Sequence, residues 1–248
     1  MEQDLRNTLA GWDFSQDEIT SALRAGEMLN PSIDLTNACN LNCPYCYIEE
    51  KNSARKLRRP DELKHEEISA ILRDLKACGA QTINIVGAGE PTIDPHFEET
   101  VQDIHDLGLR TVLFTNGIRL ASDQSLVHFL YSRSTSVVLK YNSSDSHTQD
   151  LVAGRIGYTV KRDQALTHLF DAGFNAHSPT RLGIDMMAFK GNSHEIVNIH
   201  RWCRDENIFP ICGEYIPTGR TASGAFNGFV SLQEHVPRVV ESGGRRLG

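Results

Sequence analysis

No hydrophobic run in this chain approaches the roughly 20 apolar residues that a membrane span requires. The opening MEQDLRNTL lacks the basic-then-apolar pattern of a secretory signal. Basic residues are outnumbered, 25 Lys and Arg against 32 Asp and Glu, giving a formal net charge of −7. That balance argues against a dedicated nucleic-acid binder. Ten histidines occur, but none recurs at the H-x-x-x-H spacing of a helical metal pair, so none is given a role. Cysteine is too sparse for a disulfide framework, at six in 248 residues. These absences together point to a cytoplasmic protein with reduced thiols, whose cysteines serve metal binding or packing. There is no repeat of solenoid period and no low-complexity segment.

Half of the cysteines are concentrated in one place. CNLNCPYC holds Cys39, Cys43 and Cys46, spaced C-x3-C-x2-C, with no further cysteine nearby. Zinc normally takes four ligands, and the nearest candidates for another are Glu49 and His65. Thiolates are soft, charged ligands suited to iron as well as zinc. Three of them on a four-iron cluster leave one iron open to a small molecule. The residues alone keep iron–sulfur, zinc and coincidence all open. Cys78, Cys203 and Cys212 read as packing residues.

From Pro31 a rhythm sets in. Strands are expected at 32–36, 82–87, 111–116, 136–142, 182–189 and 209–217. Amphipathic helices are expected at 63–78, 96–107, 122–131, 161–172 and 193–206. Gly79, Gly108 and Gly173 stand where three helices should stop, each shortly before a strand. Alternating strands and helices mean an α/β fold with a parallel sheet and right-handed crossovers, either doubly wound or a partly closed barrel. Residues 1–30 read as an N-terminal helical cap with two short helices about the break at Gly11–Phe14. Residues 31–220 form the core. Residues 221–248 form a helical tail, with a Pro-interrupted piece at 231–240. The basic run Lys51–Arg59 reads as a solvated face, with a lid over an anionic substrate as the sharper alternative.

Ligands bind parallel α/β folds at the C-terminal ends of their strands. The cysteine loop follows the first expected strand. GAGEP follows the second: Gly87 and Gly89 allow close backbone approach, and Glu90 offers a carboxylate to an ammonium. LKYNSSD follows the fourth, with Lys140, Asn142 and Ser143 able to bind hydroxyls and carboxylates, or simply to form a polar turn. Asp185 lies within a hydrophobic strand, so it is either functional or paired, with Arg181 and Lys190 as the expected partners. Glu214, Tyr215, Ile216 and Arg220 lie at the end of the sixth strand.

In this order the motifs resemble the radical S-adenosylmethionine (radical SAM) family. CNLNCPYC resembles its cluster signature, GAGEP its glycine–glutamate motif, LKYNSSD its ribose-contacting strand, and YIPTGR a sixth strand seen in peptide- and sugar-modifying members. The resemblance spans about Ser32 to Arg220. It implies a partial (β/α)6 TIM-like barrel of parallel strands with outer helices. Cys39, Cys43 and Cys46 would hold a 4Fe–4S cluster, and S-adenosylmethionine would chelate the open iron. Gly87 and Gly89 would approach its methionine part, Glu90 would meet its ammonium, and Lys140, Asn142 and Ser143 would face ribose or carboxylate. Tyr45 and Ile216 would flank adenine, and Asp185 is the candidate catalytic residue. The implied reaction is reductive cleavage to a 5′-deoxyadenosyl radical, which abstracts hydrogen from a small-molecule, sugar or peptide substrate. An electron donor such as flavodoxin or ferredoxin is implied as partner. Three departures stand out: Asn142 occupies a position where relatives often carry Asp, Asp185 stands in the fifth strand where a glycine- and isoleucine-spaced pattern is expected, and the chain lacks the cysteine-rich extension that often follows such a sixth strand. Either the enzyme is minimal, with a single cluster, or the chain is truncated. The competing class is a non-catalytic scaffold or electron carrier built on zinc or a cluster.

Overall fold

The computed structural model describes residues 8–48, 57–214, 216 and 218–221. Six parallel strands lie side by side in chain order: β1 (Ser32–Ile33), β2 (Thr82–Ile85), β3 (Arg110–Thr115), β4 (Thr135–Lys140), β5 (Leu182–Ala188) and β6 (Phe209–Glu214). Among the described residues β6 does not pair back to β1, so the sheet curves as an open half-barrel. The helices are α1 (Gln16–Ala25), α2 (His65–Ala77), α3 (Phe97–Asp106), α4 (Ile118–Ser122), α5 (Gln124–Ser132), α6 (Ser146–Ala153), α7 (Tyr158–Asp171) and α8 (Ile196–Asp205). The partial (β/α)6 barrel is therefore borne out.

Parallel strands covered on both faces should be mostly apolar, and VVL and LGI are, while in TINI the buried Thr82 and Asn84 alternate with Ile83 and Ile85. Period two then sorts their side chains. Ile83, Ile85, Leu113, Val137, Leu139, Leu182 and Ile184 face outward, into one core with the inner faces of α2, α3, α5, α7 and α8. Val112, Phe114, Val138, Phe209 and Ile211 face the barrel interior. The same phase carries Lys140 and Asp185 inward, two residues beyond Val138 and Gly183 and paired in register.

The floor of the half-barrel is made by the N-terminal segment. Leu9 bridges Thr180, and Trp12 packs against Phe114 and Phe209 at centroid separations of 5.9 and 5.8 Å. Thr82 and Ser136 donate hydroxyl hydrogen bonds to the carbonyls of Gly11 and Ala10. Of the two helices expected in this region, the one after the break is α1, opened by a Ser15–Glu18 capping box, and most of the one before it falls on residues 1–7, outside the described residues. Gly11–Phe14 is the turn that inserts into the barrel.

Other differences are local. β1 is two residues long rather than five, because the chain leaves the sheet at Asp34, whose carboxylate accepts from the Gly87 N–H. The expected helix at 122–131 divides at Asp123, which caps α5 through the Leu126 N–H. A further helix, α6, precedes α7 and is capped by Asp145. Gly79, Gly108 and Gly173 take left-handed φ of 92°, 69° and 83° at their helix ends. The expected helical piece at 231–240, Glu49 and most of the basic run lie outside the described residues. Within that run Arg58 binds Glu62 and Asp94, and Arg59 binds Asp61.

Candidate cofactor site

A cavity of about 260 Å³ opens at the C-terminal ends of the strands. Cys39, Cys43, Cys46 and Tyr45 line it from the loop after β1, and Gly87, Gly89 and Glu90 from the loop after β2. Lys140 and Asp185 line it from β4 and β5, and Phe114, Thr115 and Asn116 from β3. The sequence reading assigns nothing to the end of β3. Its signal was a Thr-Asn-Gly at the same edge as the other motifs.

The cysteine loop is held by backbone contacts too close for side chains. A Cβ on Gly89 would lie 2.0 Å from the Ala38 carbonyl oxygen. The Gly89 and Glu90 N–H groups donate to the carbonyls of Thr36 and Ala38. On the opposite side, Gly154 (φ 62°) would place a Cβ 2.1 Å from the Asn42 carbonyl oxygen, and the Asn42 N–H donates to Ala153. From beyond β6, the Arg220 guanidinium donates to Asn42 Oδ1 (2.7 Å) and the Cys43 carbonyl (3.0 Å), while its backbone N–H donates to the Cys46 carbonyl.

Glu90 is 2% exposed and ties the mouth together. Its Oε1 accepts from the Thr92 N–H, the Thr92 hydroxyl and the Thr115 hydroxyl, and its Oε2 accepts from the Asn116 N–H. Burial raises its pKa despite these donors. Asn116 passes the link on, donating to Asn40 Oδ1 inside the cysteine loop.

Lys140 Nζ lies 2.7 Å from Asp185 Oδ2 and 5.1 Å from the Tyr45 ring centroid. Burial alone would lower the Lys140 pKa. The charge and hydrogen bond of the facing carboxylate, with Tyr45 and Cys43 close by, together outweigh it and raise the Lys140 pKa. Asp185 is therefore paired with neither expected partner. Arg181 instead caps the carbonyls of Leu130, Tyr131 and Thr135 and stacks on Tyr131. The register of two strands, invisible in either alone, selects Lys140.

The remaining candidates sit elsewhere. Asn142 is buried beneath the site: its amide donates to the Tyr45 hydroxyl (3.0 Å) and accepts from the Met187 N–H (2.9 Å). Ser143 is fully buried, with its hydroxyl on Glu195 and its N–H on Gln149. Both residues brace the loop after β4 and do not line the cavity. Ile216 is 67% exposed and also lies off it.

The donor set fits a cluster better than a single ion. Among the described residues, only His65, His96 and Glu99 bring ligand atoms within 4.8 Å of one another, so the three thiols are spread more widely than one zinc ion needs. His65, the suggested zinc ligand, does not line the cavity. Cys43 lies against Leu41, Ala153 and Tyr158, and burial pushes its thiol pKa up to about 12. A buried thiol in such surroundings gains from an ion or cluster that takes its proton's place.

The open parallel half-barrel places the chain among partial α/β barrels, here with three thiols lining a strand-end cavity. The sequence model of the Radical SAM superfamily matches residues 33–203, and the chain belongs to that superfamily. It is 28% identical over 183 residues to an S-adenosylmethionine-dependent nucleotide dehydratase of Flammeovirga pacifica, covering 71% of this chain and 60% of that protein. It is 25% identical over 194 residues to the sporulation killing factor maturation protein SkfB of Bacillus subtilis, covering 78% and 44%. Streptococcus suis SuiB, solved with S-adenosylmethionine, superposes with a TM-score of 0.67 at 16% identity, over 93% of this chain and 55% of SuiB; it has also been solved with its precursor peptide SuiA. The chain thus spans about half the length of these relatives. Among the described residues, no helix is long and apolar enough to cross a membrane.

Proposed function

We propose that Cys39, Cys43 and Cys46 hold a 4Fe–4S cluster, that S-adenosylmethionine binds beside it in the strand-end cavity, and that the chain is a radical SAM enzyme. One observation carries this reading: the three thiols, the Gly87–Glu90 turn and the Lys140–Asp185 pair converge on a single cavity. When bound and reduced, this cofactor pair supplies homolytic cleavage of the sulfonium and hydrogen abstraction from carbon. The chain's own residues position and exclude. The Gly87–Gly89 backbone leaves room for the amino-acid part of the cofactor. Glu90 Oε2, with a single hydrogen bond, retains a lone pair for an ammonium. Lys140 offers a held positive charge to a carboxylate or ribose oxygen, and Asp185 fixes its position. The apolar side chains of Val86, Phe114 and Val138 limit water around the reacting carbon.

The substrate is a small molecule, a sugar or a peptide, and the electron comes from an external donor of the flavodoxin or ferredoxin kind. The test is anaerobic reconstitution with iron and sulfide, then reduction in the presence of S-adenosylmethionine. About four irons per chain are expected, with 5′-deoxyadenosine released, and both lost in Cys43→Ala. A colourless, air-indifferent zinc protein would overturn the reading. An assembled cluster that never yields 5′-deoxyadenosine would remove its catalytic half.

A further inference from the structure

We propose a second metal site, outside the barrel, in which His65, His96 and Glu99 bind a divalent transition metal of the zinc class. The two imidazoles come from different crossovers: His65 is the first residue of α2, and His96 is the N-cap of α3. Glu99 stands one turn into α3, in the i,i+3 relation that puts it on the same face as His96. The rings stack with centroids 5.4 Å apart and planes 18° apart. Both turn Nδ1 toward one carboxylate oxygen, Glu99 Oε2: His96 hydrogen-bonds it at 2.6 Å, a bond the metal would replace, and His65 stands 3.8 Å away.

Tautomer chemistry makes the centre of this group electron-rich. The other nitrogen of His65, Nε2, is buried without a well-formed hydrogen bond and lies 3.2 Å from Asp103 Oδ2. A hydrogen on Nε2 is drawn to that carboxylate, which leaves Nδ1 as a lone pair. A lone pair then faces a carboxylate oxygen, and a cation between them removes the repulsion. A carboxylate behind the far nitrogen of a ligating histidine fixes the ring's tautomer and orientation at such sites. The Ser69 hydroxyl in turn holds Asp103. Two imidazoles and one carboxylate, with the exposed side left to water, are a donor set suited to zinc.

Two helix N-termini point toward the site, and their dipoles oppose a cation. The first turns offset them with Glu66, Glu67, Glu98 and Glu99. The nearby Arg58 is already bound to Glu62 and Asp94. A metal here would staple the start of α2 to the start of α3. Just before α2, the Glu62 carboxylate accepts from the Thr36 hydroxyl and the Asn37 N–H, so the staple would also steady the entry to the cysteine loop.

The test separates the site from the thiols. In a Cys39→Ser/Cys43→Ser/Cys46→Ser background, Co²⁺ titration should give one bound equivalent with d–d absorption and no thiolate charge-transfer band. His65→Ala/His96→Ala should weaken affinity at least about 100-fold, and Asp103→Asn about tenfold. If the serine variant does not fold, zinc is counted in cluster-loaded chains with and without the double alanine change, and one ion per chain should be lost. No bound metal would overturn the site, as would equal binding in the double alanine variant. A pH-dependent pairing of His65 and Glu99 without metal uptake would make it an ordinary charged contact.

Discussion

Glu90 shows how much one side chain can hold at the mouth of a barrel. Its four donors come from the short helical turn after GAGE and from the end of β3, so it joins two strand ends beneath the cofactor cavity. Glu90→Ala leaves those donors without an acceptor and should cost about 3 kcal/mol, read by urea unfolding of the cluster-free protein. The pH dependence has a definite sign. Burial raises the folded pKa above its ordinary 4.5, so the carboxyl's contribution is whole below that value and falls as pH rises through the folded one. The penalty of Glu90→Ala should therefore be larger at pH 5 than at pH 8, and an equal or reversed difference would contradict this. The sequence places Glu90 at a strand mouth, but two of the four donors it meets come from 25 and 26 residues further along, where no local pattern points back to it. Lys140 is legible as a polar residue at a strand end and Asp185 as a carboxylate inside a hydrophobic strand. Their pairing is not, because it depends on the register between β4 and β5.

At the scale of elements, the cysteine loop has little regular structure and takes its shape from three neighbours. The turn after β2 presses on it at Gly89, the end of α6 at Gly154, and the segment after β6 through Arg220. Alternation of strands and helices made the sheet readable, since each strand announces itself by its own apolar run. The clamp is harder to read, because its three parts are separated by 65 residues or more. Arg220 is the part whose removal leaves the core intact. Arg220→Ala should change global stability by about 1 kcal/mol, while the reconstituted cluster loses iron to a chelator several-fold faster than in the unaltered protein. Absorbance of the cluster over time, set beside a thermal melt, separates the two effects. Equal rates would show that the loop is held without this residue.

The molecule as a whole is a half-barrel with its floor supplied by the chain's own beginning. Trp12 fills the space between β3 and β6 and donates its indole N–H to Asn84 Oδ1 at 2.8 Å. Trp12→Ala should remove about 3 kcal/mol by opening that space and orphaning the Asn84 oxygen, with a lower urea midpoint as the readout. A change below about 1 kcal/mol would mean the floor packs independently of the indole. The sequence reading saw this segment as a cap outside the barrel. A tryptophan next to a glycine turn carries no mark of where in three dimensions the turn will insert.

The order of the strands gives that floor a place in time. Each strand pairs with the one made just before it, so the sheet can grow as the chain leaves the ribosome, by short-range steps that are quick to form. The bridge from Leu9 to Thr180 breaks this pattern. Leu9 must wait for a partner made some 170 residues later. Until Thr180 and β5 emerge, the floor segment is held only through its bonds to Thr82, Asn84 and Ser136. Closure of the interior therefore falls late, to β5, which anchors Leu9, and β6, which brings Phe209 against Trp12.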